Sequence, residues 1–102
     1  MMFDDTYKML EAPGEGLYKE KGSKFIASAF TVMNENEAKQ AIAETKKRYF
    51  DARHHCYAYR IGASGEPWRA SDDGEPSGTA GKPILEVLTG AGLTDTLIIV
   101  TR

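Results

Sequence analysis

The apolar and polar positions in the first third of the chain alternate as they do in β-strands. Residues 18–21 have the length of a short strand, and Gly22-Ser23 favours a turn after them. Over residues 25–32 the side chains divide into two alternating faces, which is the period of a strand. Residues 1–16 end in a segment rich in glycine, so we expect a loosely ordered lead-in there and one domain over residues 17–102.

The pattern then changes to the period of a helix. Asn34 precedes Glu37 by three residues, which is close to a capping box with Asn as the cap. Apolar residues recur at helical spacing after it, so an amphipathic helix is predicted over residues 35–49. The basic run over residues 46–48 falls at the end of this helix, where cations complement the helix dipole. A further strand is predicted over residues 54–61.

The second half of the chain predicts a strand, a helix and a last strand. The strands cover residues 68–71 and 96–101, and the last is a continuously apolar, β-branched run of the kind found in buried strands. Between them Thr79 is a candidate helix cap. Pro83 then falls in the first turn, where its missing amide costs little, and the glycines from Gly90 onward end the helix.

The sequence ends one residue after a strand of the buried type, at Arg102. Such a strand needs cover, so we expect that the chain is cut short and that a covering helix is missing. An uncovered sheet would favour self-association, which makes a homo-oligomer one of the expected partnerships.

Composition narrows the class of protein. With 102 residues, 41% of them hydrophobic and 27% charged, the chain is expected to form one globular domain. A net charge of −2 excludes a strongly basic nucleic-acid-binding protein, although a local basic patch stays open. Cys56 is the single cysteine, which fits the reducing cytoplasm. No apolar run approaches the ~20 residues that cross a membrane, so no membrane partner is expected.

Three carboxylates lie within four residues, at Asp72, Asp73 and Glu75. They could hold a hard cation such as Mg²⁺ through oxygen ligands. Their spacing does not match the calcium-loop pattern. A solvated acidic turn, in which Asp side chains bond the amides that follow, is the preferred interpretation. No metal or cofactor is therefore predicted.

The next segment fails two catalytic templates. Gly81-Lys82 resembles a phosphate loop, but Pro76 stands where that loop needs a glycine and Pro83 where it needs Ser or Thr. Ser77 lies one position late for a nucleophile elbow, and whether a histidine meets it is left open. Small residues that open a helix still leave free amides able to hold an anion. The preferred alternative is a tight loop that caps the helix.

The predicted strand over residues 54–61 carries histidine, cysteine and tyrosine. Neighbouring histidines on a strand point to opposite faces and cannot bind one metal together. His54 shares a face with Cys56, but two ligands are too few for a structural zinc site. Tyr57 and Tyr59 share the other face. They would stack on bases if that face were open, and the preferred alternative makes them core residues with satisfied hydroxyls.

Three segments, taken in their order and spacing, resemble the amino-terminal domain of the IMPACT/YigZ family. They are GSKFIA over residues 22–27, DARHHCYAYR over residues 51–60 and ASDDGEPSGTAGKPIL over residues 70–85. The resemblance runs from about residue 16 to residue 102. It implies an α+β two-layer sandwich with a mixed or antiparallel sheet and helices on one face, similar to the second domain of small-subunit ribosomal protein number five.

The resemblance also implies a role. Eukaryotic members regulate translation by binding a partner of an amino-acid-starvation kinase, and bacterial members are linked to the ribosome or to nucleic acid mainly by analogy of fold. Simple members lack an accepted catalytic mechanism, so an enzyme is the less favoured alternative. The leading hypothesis is a cytoplasmic binding domain in translation regulation that contacts RNA, the ribosome or a protein partner.

The expected binding surface combines basic, hydroxyl and acidic side chains, and cations would contact phosphate while hydroxyls and nearby amides orient it. Its residues are Arg53, His55, Arg69, Ser71, Asp72, Asp73, Glu75, Ser77, Thr79 and Lys82. One alternative is a metal-assisted hydrolase of a phosphorylated or nucleotide-like substrate, with the metal on the three carboxylates. A protein-interaction module is the other.

Overall fold

A computed structural model describes the backbone of residues 14–20 and 23–102 and the side chains from residue 25 onward. The elements are β1 (Gly14–Glu20), β2 (Ser23–Thr31), α1 (Glu35–Arg48), β3 (His55–Arg60), β4 (Trp68–Ser71), α2 (Gly81–Gly90) and β5 (Thr96–Thr101). This order is the predicted one, and β4 and β5 have the predicted bounds. β1 begins earlier than predicted and includes the end of the expected lead-in, of which residues 1–13 lie outside the described residues, as does Gly22 of the predicted turn.

The five strands form one antiparallel sheet in the order β1-β2-β5-β3-β4. β5 therefore lies in the middle, between β2 and β3. This position explains its apolar sequence, since Leu97 and Ile99 are fully buried. The antiparallel form of the predicted sheet is confirmed.

α1 begins with the predicted cap. The side chain of Asn34 accepts a hydrogen bond from the backbone amide of Glu37 at 2.9 Å. The carboxylate of Glu37 reaches back and accepts from the amide of Met33 at 2.7 Å, one residue before the cap. The two bonds satisfy amides that a helix start leaves free. Neither described helix is long and apolar enough to cross a membrane.

Each face of the sheet has one helix packed on it. α1 buries Ala38 and Ile42 in a cluster with Tyr59, whereas α2 buries Leu88 in a cluster with Ala58. Ala58 and Tyr59 are neighbours on β3, and neighbouring residues of a strand point to opposite sides of the sheet. The two helices therefore lie on opposite faces.

This arrangement corrects one part of the expected fold. The α+β class is confirmed, but the helices are not on one face and the fold is not a two-layer sandwich. The physical reason is that β3 and β5 carry apolar side chains on both faces, and each face needs cover. The small residues Ala58 and Ala70 let α2 approach on one face, and the large ring of Tyr59 packs under α1 on the other.

The start of α2 lies against the end of β4. Gly81 is buried, and a Cβ built on it would lie 2.6 Å from the backbone nitrogen of Ser71 and 2.7 Å from its carbonyl carbon and oxygen. Backbone atoms cannot rotate away as a side chain does. Glycine is therefore required for this close approach of helix and strand.

We expect Gly81→Ala to destabilise the domain, because overpacking against backbone costs about 1–3 kcal/mol and outweighs the better helix propensity of alanine. Gly90→Ala in the same helix is the matched control. A Cβ at Gly90 meets nothing within 4 Å, so this change should be neutral or stabilising by up to about 1 kcal/mol. Urea unfolding followed by circular dichroism measures both. Equal effects of the two changes would contradict the close approach.

Candidate functional site

The loop between β4 and α2 is built around the carboxylate of Asp72. Its Oδ1 accepts from the amide of Gly81 at 2.8 Å and from that of Ala80 at 3.1 Å, and its Oδ2 accepts from the amide of Gly78 at 2.9 Å. The bonds from Gly78, Gly81 and Ala80 hold the pKa of Asp72 below its ordinary value. Asp72 thus caps α2 from nine residues upstream.

One prediction for the helix start is therefore wrong, and for the free amides the preferred alternative, a tight loop that caps the helix, agrees with the structure. Thr79 is not the cap, because the N-cap position is Ala80 and the hydroxyl of Thr79 donates to the carbonyl of Pro76 at 2.5 Å. The amides expected to hold an external anion already bind the carboxylate of Asp72. An internal anion occupies the site that the sequence offered to a ligand.

Asp73 fastens the loop to β3. It has a φ of 44°, in the left-handed region where Asp is tolerated. Its Oδ2 accepts from the amide of His55 at 2.6 Å, and its backbone carbonyl lies 2.6 Å from Nδ1 of His54. Its Oδ1 is 3.9 Å from Nζ of Lys46, and its amide donates to the hydroxyl of Ser71 at 3.3 Å. The second acid of the loop therefore has partners on β3, β4 and α1.

Glu75 links the loop to the end of the sheet. Its Oε1 accepts from the guanidinium of Arg102 at 2.8 Å and lies 3.8 Å from Nε2 of His54. The amide of Arg102 donates to the carbonyl of His54 at 3.0 Å. The guanidinium also lies over the ring of Phe25, 5.7 Å from its centroid. The side chain of Glu75 is 16% exposed, so this ion pair is partly shielded from water.

The three carboxylates of the loop therefore point to different partners. No group of three metal-binding side chains is close enough to hold an ion within residues 14–20 and 23–102. The metal-assisted hydrolase loses the ligand set on which it depended. What the carboxylates do is fix the loop to α2, β3 and β5.

Both histidines lie beside the loop, which the sequence left open. His54 contacts Asp73 and Glu75. His55 is buried, with Nδ1 3.3 Å from the hydroxyl of Thr101; burial lowers its pKa, against the opposing effect of Asp73. Ser77 is exposed, and no hydrogen bond joins it to either histidine in the described part of the chain. A Ser-His-Asp arrangement is absent from these residues.

Tyr59 is a core residue, as the preferred interpretation held. It is 1% exposed, and its hydroxyl donates to the carboxylate of Glu35 at 2.5 Å. Burial and this carboxylate raise its pKa to about 12. The ring of Tyr57 stacks parallel to it, with 6.4 Å between centroids. These contacts lie under α1, so the ring of Tyr59 is not open to a base.

A cleft of about 450 Å³ lies between the sheet and the start of α2. Its walls are largely apolar, with Phe25 and Val100 on the sheet and Ile84 on the helix. The thiol of Cys56 lines it and donates to the carbonyl of Asp72 at 3.1 Å. Burial and nearby carboxylates raise the pKa of this thiol to about 11, so it stays neutral and unreactive near pH 7.

The predicted surface divides into two groups. Five residues meet in the loop and at the strand ends, where they hold the fold: His55, Ser71, Asp72, Asp73 and Glu75. The other five are exposed: Arg53, Arg69, Ser77, Thr79 and Lys82. Sequence reasoning left open whether His54 meets the loop, and it missed Lys46 and Arg102, which also contact the loop. The pairing of His55 with Thr101 brings Arg102 there, and no local sequence signal reports such a register.

The sequence is similar to known proteins over most of its length. Residues 21–102 match the model of the Impact N-terminal domain. IMPACT family member YvyE of Bacillus subtilis is 43% identical over 97 residues, which cover 95% of this chain and 45% of that protein. IMPACT family member YigZ of Escherichia coli is 38% identical over 100 residues, which cover 96% of this chain and 49% of that protein.

A solved structure has the same fold. It is a crystal structure described as that of a hypothetical protein, with a TM-score of 0.90 and 34% identity. The match covers 98% of this chain and 50% of the other. The chain thus spans about half the length of the relatives that it matches.

We expect Asp72→Asn to destabilise the domain at pH 7, because an amide oxygen replaces a charged acceptor of three bonds. The pKa of Asp72 is lowered by folding, so its carboxylate stabilises the fold above its ordinary value of 3.8. That contribution is lost as pH falls through the lowered pKa. The stability gap between the native chain and the variant should therefore narrow below about pH 4.

Urea unfolding at pH 7 and between pH 4 and pH 2 measures the gap. Asp51→Asn is the control, because Asp51 is exposed and has no hydrogen bond or ion pair among the described residues. A gap that stays constant with pH would show that the charge of Asp72 does not carry the effect.

Proposed function

Because this chain belongs to the IMPACT family through its amino-terminal domain, we propose that it is a binding domain in translation regulation that contacts RNA or the ribosome through phosphate groups. It would act in the cytoplasm, where its single cysteine stays reduced. The observation that supports the proposal is the difference between the acidic and the basic side chains of the predicted surface. Carboxylates have partners within the fold, whereas several cations face outward.

The acidic side chains of the loop would otherwise repel a phosphate. Asp72 is surrounded by three backbone amides, Asp73 lies between a backbone amide and Lys46, and Glu75 accepts from Arg102. Each negative charge is thereby partly compensated before any partner arrives. The negative net charge of the chain consequently says little about the potential at this surface.

Three cations of the predicted surface face solvent. Arg53, Arg69 and Lys82 are exposed, and their side chains form no ion pair or hydrogen bond among the described residues. Exposed cations without partners can contact phosphate without first breaking an internal bond. Each such contact releases counterions from the nucleic acid, which makes binding depend on salt.

The same geometry favours binding over catalysis. A hydrolase of a phosphorylated substrate needs a metal or an activated nucleophile near its phosphate contacts. In the described part of the chain the carboxylates diverge, Ser77 has no histidine, and the thiol of Cys56 is neutral. Phosphate contact by exposed cations needs none of these groups.

We expect the chain to bind RNA at low salt with an affinity that falls as salt rises, and each of Arg69→Glu and Lys82→Glu to weaken it and to reduce the salt slope by about one. Fluorescence anisotropy with labelled RNA over a series of salt concentrations measures both quantities. Lys39→Glu is the control, because Lys39 is exposed on α1 and lies outside the predicted surface. Binding that is absent at low salt, or that does not respond to salt, would refute the phosphate contacts.

The apolar cleft favours a second candidate, a protein-interaction module. The proposed occupant is the apolar side chain of a protein partner, since the walls are apolar on both sides and the Arg102–Glu75 pair leaves little net charge at the rim. A second copy of this chain is a candidate occupant of the cleft that can be tested without identifying another protein.

Size-exclusion chromatography with light scattering should then give about twice the monomer mass of 11.2 kDa at high protein concentration. Val100→Thr, which places a hydroxyl in the cleft wall at little change of volume, should shift the equilibrium towards the monomer. Val87→Thr is the matched control on the outer face of α2, where Val87 is 53% exposed. A monomer at every concentration would exclude the second copy as the occupant.

A further inference from the structure

The end of α1 and the loop after it carry an exposed aromatic ring among cations. Phe50 is 83% exposed, more than the other exposed large hydrophobic residues of the described chain. Within residues 46–53 four residues are Lys or Arg and one, Asp51, is acidic. A chain with a net charge of −2 therefore has one segment of strong local positive charge.

The helix dipole explains only some of the cations in residues 46–53. Lys46, Lys47 and Arg48 complement the carboxyl end of α1. Arg53, however, lies five residues beyond the helix, where the dipole has fallen off. The dipole also gives no reason for a phenylalanine in solvent at this position.

The cations of the segment differ in what they contact. Lys46 lies 3.9 Å from Asp73, and the guanidinium of Arg48 lies 5.2 Å from the ring centroid of Tyr49. The side chains of Lys47 and Arg53 form no ion pair or hydrogen bond among the described residues, and both are exposed. They lie three residues before and three residues after Phe50. The exposed ring is thus flanked along the chain by two cations with no partner in the described part of the fold.

This combination fits one class of partner better than others. Single-stranded RNA offers unstacked bases for an aromatic ring and phosphates on either side for cations. A base inside a duplex is not open to stacking. A membrane surface attracts basic segments too, but insertion draws on several apolar side chains, and Phe50 is the one large exposed apolar residue within residues 46–53.

We propose that residues 46–53, here named the basic–aromatic segment, bind single-stranded RNA, with Phe50 stacking on one unpaired base and Lys47 and Arg53 contacting the phosphates on either side of it. The inference rests on the proposed RNA function and adds Lys47 and Phe50 to the predicted surface, which already includes Arg53. Lys47 lies in the last turn of α1, and Phe50 and Arg53 follow it in the connection to β3.

Anisotropy with a labelled single-stranded RNA twelve nucleotides long tests the segment. Phe50→Ala should weaken binding by about five- to a hundred-fold without changing the salt slope, because stacking releases no counterions. Phe50→Trp should keep the affinity. Lys47→Ala and Arg53→Ala should each weaken binding and lower the salt slope by up to about one. The exposed position of Phe50 predicts an unchanged thermal melt for its variants.

Each control removes the same type of exposed side chain at a position outside the segment. Val87→Ala removes an exposed apolar side chain from another helix, and Lys39→Ala removes an exposed lysine from the first half of α1. Both should bind like the native chain. If Phe50→Ala binds as tightly as the native chain, or no more weakly than Val87→Ala does, the segment is refuted while the RNA function stands.

Two further outcomes are decisive. A native chain that binds no RNA at low salt overturns both the function and the segment. Sedimentation with phosphatidylserine vesicles tests the membrane in the same variants. Vesicle binding that is lost in Phe50→Ala, with RNA binding unaffected, would assign the segment to a lipid surface and overturn the proposal.

Discussion

The carboxylate of Asp72 is the interaction on which the arrangement of β4, the loop and α2 depends. α2 has no acidic residue in its first turn and no side-chain cap at its own N-cap position. Its free amides need an acceptor, and the acceptor is fixed at the end of β4. The helix must therefore begin where Gly81 meets the backbone of Ser71, and this start sets Leu88 against Ala58 in the core.

Asp73 and Glu75 fix the same loop to other elements of the fold. Asp73 turns through a left-handed backbone and binds the amide of His55 and the ring of His54, both at the start of β3. Glu75 reaches Arg102 at the end of β5. Because α2, β3 and the end of β5 are each held by a different carboxylate, the acidic charge of this loop is used within the fold.

Much of the fold could be predicted from local patterns, because those patterns are local in the structure as well. The cap of α1 is a contact between residues three apart, and β4 and β5 are bounded by turn residues. The cover on both faces was foreseeable from the continuous apolar run of β5, which signals a strand buried on both sides. The family resemblance instead predicted helices on one face. Ala58 packs against α2 and its neighbour Tyr59 against α1, which shows that the helices lie on opposite faces.

The candidate site was harder to predict because its contacts depend on register and on long loops. A local Asx turn would have satisfied Asp72 within two residues, whereas its real partners lie six to nine residues on. Arg102 reaches the loop only because β3 and β5 pair in one particular register. We expect substitution of a residue that holds the loop, such as Asp72, to lower stability. Substitution of an exposed cation such as Lys82 is not expected to change stability. A variant that loses affinity at unchanged stability therefore identifies a residue in direct contact with the partner.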